Sequence, residues 1–427
     1  MASVQTLSKP VDNDMIIPVS EREYLRTLAK KQQEYAHLPV MAEREHLWVL
    51  HNGLRGKRPM VVMEEDTFLN EILPLSRCES PLGKKIEQTL CHIIASYETF
   101  DDDKVVPGCF PVYLDIGVNF LGLTIQKTLA AEGVGFHIEP AFKTLEEGLP
   151  LLRHSEFMYD KAATELMEKA ACDILGDILP VVRKNSFHWW DTMHTWQVVH
   201  LMGMENMYIA MALQPDNFHR LMRIVTDELM LCLHWQEENG LLLLNNGNDY
   251  LGAGSFCFTD ELPGTGFNGQ VRVRDTWGHL NSQESVGISP EMFAEFIYPY
   301  CAEIAAEYGL VYYGCCEPVH KTWDICLSKL PNLRKVSISA WCDEEIMSER
   351  LQDGKIIYSR KPSPQFIGVK AAFDEEAFTA YIKKTASLLR GGCKAEFIFR
   401  DIYKLNGNVE KLRRAVDITR RIAEDVY

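Results

Sequence analysis

Between residues 20 and 100, apolar side chains recur every three or four positions. The stretch SPLGKKIEQTLCHIIASYETF carries Leu82, Ile86, Leu90, Ile93 and Ile94 along one helical face. In SEREYLRTLAKKQQEYA, Ser20 stands three residues before Glu23, a capping-box spacing that predicts a helix start. The acidic run Asp101–Lys104 and the following Pro107-Gly108 read as a loop. That loop separates a helical N-terminal extension, residues 1–104, from a main domain, residues 105–427.

Past the loop the pattern changes. Short β-rich runs end in polar residues, and helical stretches follow them. CFPVYLDIG ends at Asp115, ILPVVRKNSFHWWD near Asn185 and His188, and NGLLLLNNGNDY at Asn248 and Asp249. GLVYYGCCEP ends at Cys315 and Cys316, and LRKVSISAWCD at Cys342 and Asp343. GKIIYSRKPSP ends at Arg360 and Lys361, and CKAEFIFRDI at Arg400 and Asp401. Good helices lie between several of them. One starts on a Ser289 cap with Pro290 at its first position and closes on Gly309; another runs from Asp374 to Gly391. About seven strand–helix units predict an α/β fold, a (β/α)8 TIM-type barrel. No glycine-rich nucleotide fingerprint follows any strand, which weakens the doubly wound alternative. In a barrel the chemistry sits at the C-terminal strand ends. The glycine-rich stretch 252–287 reads as a loop covering the substrate.

Charge narrows the function. The chain of 427 residues has 44 Lys and Arg against 60 Asp and Glu, a formal net charge of −16. That balance argues against binding nucleic acid or an anionic membrane surface. The N-terminus shows no basic flank followed by an apolar run, so no secretory signal is expected. The longest apolar stretches, such as GLLLL, are far too short to span a bilayer. Twelve cysteines without such a signal fit a reducing, cytoplasmic setting.

The strand ends supply the candidate chemistry. Cys315 and Cys316 are adjacent, so on a continuing strand their side chains take opposite faces. Cys342 ends the next β run, within reach of the same ion if the strands are neighbours. A catalytic zinc takes three protein ligands and keeps one open position. Glu284 is the third-ligand candidate, with Glu317 and His320 as local alternatives. Packing of two buried thiols is the competing reading. Asp115, Asp249 and Glu317 are candidate acids or bases; the two aspartates could equally cap the helices that follow. The aromatic segment around His188, Trp189, Asp191 and His194 would suit a planar substrate, with Tyr313 and Arg400 as further contacts. No Gly-x-Ser-x-Gly elbow supports a serine hydrolase.

The segments ISPEMFAEFIYPYCAEIAAEYGLVYYGCCEP and GGCKAEFIFRDIYKLNGNVEKLRRAVDITRR resemble the uroporphyrinogen decarboxylase-like superfamily. So does the middle stretch that opens DILPVVRKNSFHWWD, and the likeness runs from about Val105 to the C-terminus. The resemblance implies a β/α barrel. It also implies one of two activities: cofactorless decarboxylation of uroporphyrinogen, or zinc-dependent methyl transfer involving a corrinoid protein. The decarboxylase branch carries an Arg-Gln-Ala-Gly-Arg type segment; here HNGLRGKRPMVV is the nearest stretch and lacks the pattern. The methyltransferase branch carries His-x-Cys-Gly where this chain has Tyr313-Gly314-Cys315-Cys316, and a late cysteine where it has Arg400-Asp401. The expectation is therefore a Zn2+ methyltransferase with Cys315, Cys316, Cys342 and Glu284 as ligands. It would move a methyl group from a small methylated substrate, such as a methoxylated aromatic, to a corrinoid-binding protein. A homodimer is compatible with it. The alternative is a decarboxylase of a polycarboxylate or tetrapyrrole, requiring Asp115 or Asp249 and an arginine cluster drawn from Arg272, Arg274, Arg360 and Arg400. A non-enzymatic barrel that only docks a corrinoid protein is the third reading.

Overall fold

The computed structural model describes residues 17–129, 136–186 and 193–425. In chain order the strands are β1 (Met60–Met63), β2 (Phe110–Tyr113), β3 (Ile116–Asn119), β4 (Gln126–Leu129), β5 (Phe136–Glu139), β6 (Glu156–Tyr159) and β7 (Val181–Lys184). They continue as β8 (Tyr250–Gly252), β9 (Ser255–Phe256), β10 (Trp277–Leu280), β11 (Leu310–Tyr313), β12 (Leu333–Ile338), β13 (Ile357–Arg360) and β14 (Ala395–Phe399). Six of them form one sheet in the order β1-β14-β13-β12-β11-β10, parallel throughout. β2 and β7 make a separate parallel pair. Short antiparallel pairs join β3 to β6, β4 to β5 and β8 to β9.

The fold is thus mixed α/β around a parallel sheet, and no sheet closes on itself among the described residues. Side chains span part of the gap between β7 and β10. Asn185 donates from Nδ2 to the Leu243 carbonyl at 2.6 Å and accepts the Leu243 N–H at 2.7 Å. Asn245 donates to the Trp277 carbonyl at 3.0 Å and accepts the Trp277 N–H at 2.9 Å. The expected GLLLL strand is therefore no ladder strand: Asn185, after β7, and Asn245, after the run, pair backbone where strand neighbours would.

Alternation sorts the sheet residues by face. Val311, Tyr313, Val336, Ile338, Tyr358, Phe397 and Phe399 pack with helix residues such as Phe378, Ile382 and Leu412. The opposite face carries Trp277, Tyr312, Lys335, Ser359, Glu396 and Ile398. The β8–β9 hairpin and helix Pro39–Asn52 cover it: Leu251, Ala253 and Cys257 pack on Trp277 and Tyr312, and Trp48 on Met60, Val62 and Ile398. Gly254 makes that close approach possible. Its φ is +82°, and a Cβ there would stand 2.3 Å from Ile398 Cγ2.

Several local expectations change. The stretch 1–104 is not only helical, because Met60–Met63 supplies β1, paired with β14. β10 lies inside the stretch read as a covering loop. The first helix is Val19–Ala36 with Pro18 at its cap, so Ser20 sits within its first turn. Ser289 caps as expected through the Met292 N–H, but the helix is divided into Pro290–Phe296 and Tyr298–Glu307, with a proline opening the second. Asp374 caps Glu375–Leu388 through the Ala377 N–H.

Candidate active site

Gly314 turns the chain as it leaves β11. Its φ is +98°, accessible to glycine at little cost. The turn is then clamped. Glu317 accepts the Cys315 N–H at 2.8 Å with one carboxylate oxygen and the Ser282 N–H at 2.9 Å with the other. Ser337 donates to the Cys315 carbonyl at 2.8 Å. Glu317 is thus committed to holding backbone. Burial raises its carboxyl above the usual range against these bonds.

Two more strand ends and the β8–β9 hairpin meet at this turn. From the end of β14, Arg400 donates through Nη1 to Cys315 Sγ at 3.1 Å. Its Nε lies 3.1 Å from Glu64, the residue after β1, and 3.5 Å from Asp401. Tyr250, from the hairpin, donates to the other Glu64 oxygen in a short hydrogen bond. The two cysteine sulfurs are 3.6 Å apart, and Cys316 Sγ stands 3.7 Å from Asp401. The thiols are unlike. A bond from Cys316 and the Arg400 charge draw Cys315 below its ordinary pKa, against burial. Giving that bond, and burial, push Cys316 up. Burial raises Glu64, opposed by Arg400 and Tyr250. The result is a thiol whose ionised form a guanidinium favours, beside a carboxyl that burial shifts upward.

The other candidates lie elsewhere. Cys342 is buried in the core on the helix side. Glu284 accepts from Thr195 Oγ1 at 2.8 Å. Asp249 is ion-paired with Lys184 at 2.8 Å. Asp115 is exposed at the end of β2, its N–H given to Thr164. Tyr313 points into the helix-side core. His194 is buried with Nδ1 3.8 Å from Cys301 Sγ, and burial pushes it down to about 3, so it is neutral. His188, Trp189 and Asp191 lie outside the described residues. Of the arginines, only Arg400 reaches this turn. Arg360 binds Glu344 and Tyr381 among the helices, and Arg272 and Arg274 line a separate surface cavity with Phe267 and Gln270.

Glu64 and Tyr250 were absent from the sequence candidates. Glu64 follows a four-residue apolar run, MVVM, set within a helical stretch, and its position after a strand was the available signal.

The zinc set fits poorly. Two thiols are adjacent, but Cys342 and Glu284 have other surroundings, and Arg400 places a cation on Cys315. Among the described residues, no three His, Cys, Asp or Glu side chains are grouped to hold a metal ion. No described helix is long and apolar enough to cross a membrane.

No protein-family model matches the chain, and no curated protein matches its sequence. Among solved structures, a methyltransferase from Methanosarcina mazei is similar, with a TM-score of 0.51 and 12% sequence identity. The match covers 88% of this chain and 98% of that one, and it shows a shared fold.

Proposed function

We propose that this chain is a methyltransferase working at the C-terminal edge of the parallel sheet. It would take a methyl group from a small methylated substrate, such as a methoxylated aromatic, and pass it to a corrinoid on a separate protein. The observation that carries the reading is the Arg400–Cys315 pair, a thiol bonded to a guanidinium beside the Glu64 carboxyl, at strand ends of a fold shared with a methyltransferase. The adjacency of β1 and β14, the first and last strands, supports reading the sheet as part of a β/α barrel.

The chemistry follows from the side chains. The Cys315 thiolate is the strongest nucleophile at the turn. It attacks the methyl carbon, the carbon–heteroatom bond breaks, and the electron pair leaves with the heteroatom. Glu64, replenished through Tyr250, gives that heteroatom a proton. The products are the demethylated substrate and S-methylated Cys315. In the second half-reaction the methyl group leaves for the corrinoid, and Arg400 stabilises the returning thiolate. No step is routed through zinc, whose expected ligands are not assembled. The dispersed arginines give the decarboxylase reading no carboxylate-binding cluster.

The test uses a panel of methoxylated aromatics carrying labelled methyl groups. The label should appear on the Cys315 peptide, be absent in Cys315→Ser, and be chased by a cob(I)alamin acceptor. Label transfer at an unchanged rate in Cys315→Ser would overturn the thiolate route.

A further inference from the structure

Two lysines are buried on neighbouring strands of the parallel sheet, and they differ in counter-charge. Lys335, on β12, has Nζ 3.1 Å from the Glu396 carboxylate. Lys361 follows β13 at the C-terminal edge and is 4% exposed. Its Nζ donates to Tyr312 Oη at 2.5 Å and to Ser359 Oγ at 2.7 Å. Among the described residues no carboxylate lies within ion-pair distance of it.

Its hydroxyl partners are themselves linked. Tyr312 Oη and Ser359 Oγ are 2.9 Å apart, and Ser359 donates to Glu396 at 2.6 Å. Glu396 in turn is bonded to His51, Ser255 and Lys335, each at 3.1 Å. A hydrogen-bonded chain therefore runs from the Lys361 amine into the sheet interior. A buried ammonium lacking a carboxylate partner is costly, and the group responds by losing its proton. Burial pushes Lys361 down to about 7; Glu396, Cys315 and Glu64 oppose the shift, and Arg400 adds to it. A neutral primary amine has two N–H groups and a lone pair. Here Tyr312 Oη and Ser359 Oγ hold the amine nitrogen in place.

We propose that Lys361 is a nucleophilic amine that condenses with a small aldehyde or oxo acid, an activity separate from methyl transfer. The Nζ lone pair attacks the carbonyl carbon, and the carbonyl π pair moves to oxygen. The carbinolamine then loses water: Lys–NH2 and O=CRR′ give Lys–N=CRR′ and H2O, with no oxidant or reductant needed. Tyr312 is the proton donor to the departing hydroxyl, and the proton that nitrogen loses as the C=N bond forms returns to Tyr312 through Ser359. Such a lysine, desolvated within a sheet, is suited to Schiff-base formation.

The test is reductive trapping on the full chain with glyoxylate and cyanoborohydride at pH 7, read by peptide mass spectrometry. An exposed lysine near pKa ~10.4 is neutral in only about one molecule in 2,500 at that pH. Lys361 should be carboxymethylated at least ~10-fold faster than exposed Lys355, with Lys335 untouched. Tyr312→Phe should slow trapping at Lys361 and leave Lys355 unchanged. Adducts confined to exposed lysines, with Lys361 unmodified in the wild-type chain, would overturn the proposal. An unchanged rate in Tyr312→Phe would remove Tyr312 as the proton donor.

Discussion

Arg400 donates to the sulfur of Cys315 across 3.1 Å, joining the end of β14 to the turn after β11. The two strands are separated in the sheet by β13 and β12. The contact therefore crosses the mouth of the sheet rather than joining neighbours. A guanidinium this close favours the thiolate and orients it.

Removing the cation should be visible without any substrate. In Arg400→Gln, iodoacetamide labelling of Cys315 at pH 7 should slow by about 10-fold, and its pH profile should shift up toward an ordinary thiol near ~8.5. Peptide-resolved alkylation rates measure both. A profile unmoved by the substitution would mean that Arg400 does not set the thiolate population.

Glu317 holds the Cys315 turn through two backbone N–H groups. Glu317→Ala leaves both donors buried and should cost about 2–4 kcal/mol in urea unfolding. Glu317→Gln keeps one good acceptor and should cost about half as much. Equal effects of the two substitutions would contradict this role.

Asn245 pairs with both backbone groups of Trp277 at the edge of the six-stranded sheet. Asn245→Ala should cost about 2 kcal/mol, and hydrogen exchange at the Trp277 amide should accelerate. Protection unchanged at that amide would show that something else satisfies it.

Lys361 makes stability depend on pH in a defined direction. Its pKa falls from an ordinary 10.5 to about 7 in the folded chain. Between those values the unfolded chain binds more protons, so stability rises with pH from about 7 to about 10. Below pH 7 the penalty is fully present. Lys361→Met removes it and should stabilise the chain by roughly 2–5 kcal/mol at pH 6–7, shrinking toward pH 10. Denaturant unfolding of both chains across that range decides the sign.

Much of the sheet could be read from alternation and from where β-rich runs stop. β11, β12, β13 and β14 fall on the runs that end at Cys315, Cys342, Lys361 and Arg400. Two strands escaped for different reasons. MVVM is only four residues and lies among helices, and TWGHL carries a glycine and a histidine where β-branched residues would mark a strand. The site was half legible. The cysteine turn and Arg400 stood out because polar residues ending an apolar run need a reason to be there. Tyr250 and Glu64 did not, because their meeting depends on a hairpin folding back on the sheet. Parity separates Arg360 from Lys361: one residue apart, they leave β13 on opposite faces, Arg360 toward Glu344 and Lys361 toward Tyr312.

The ladder between β1 and β14 has a consequence for how the chain is made. Residues 60–63 find their parallel partner only at residues 396–399. During synthesis the first strand leaves the ribosome long before the last exists, with the bare edge of an apolar MVVM run. A product stopped before residue 395 never covers that edge. Such fragments are natural clients for chaperones and proteases, and the native sheet forms only once residues 396–399 have been made.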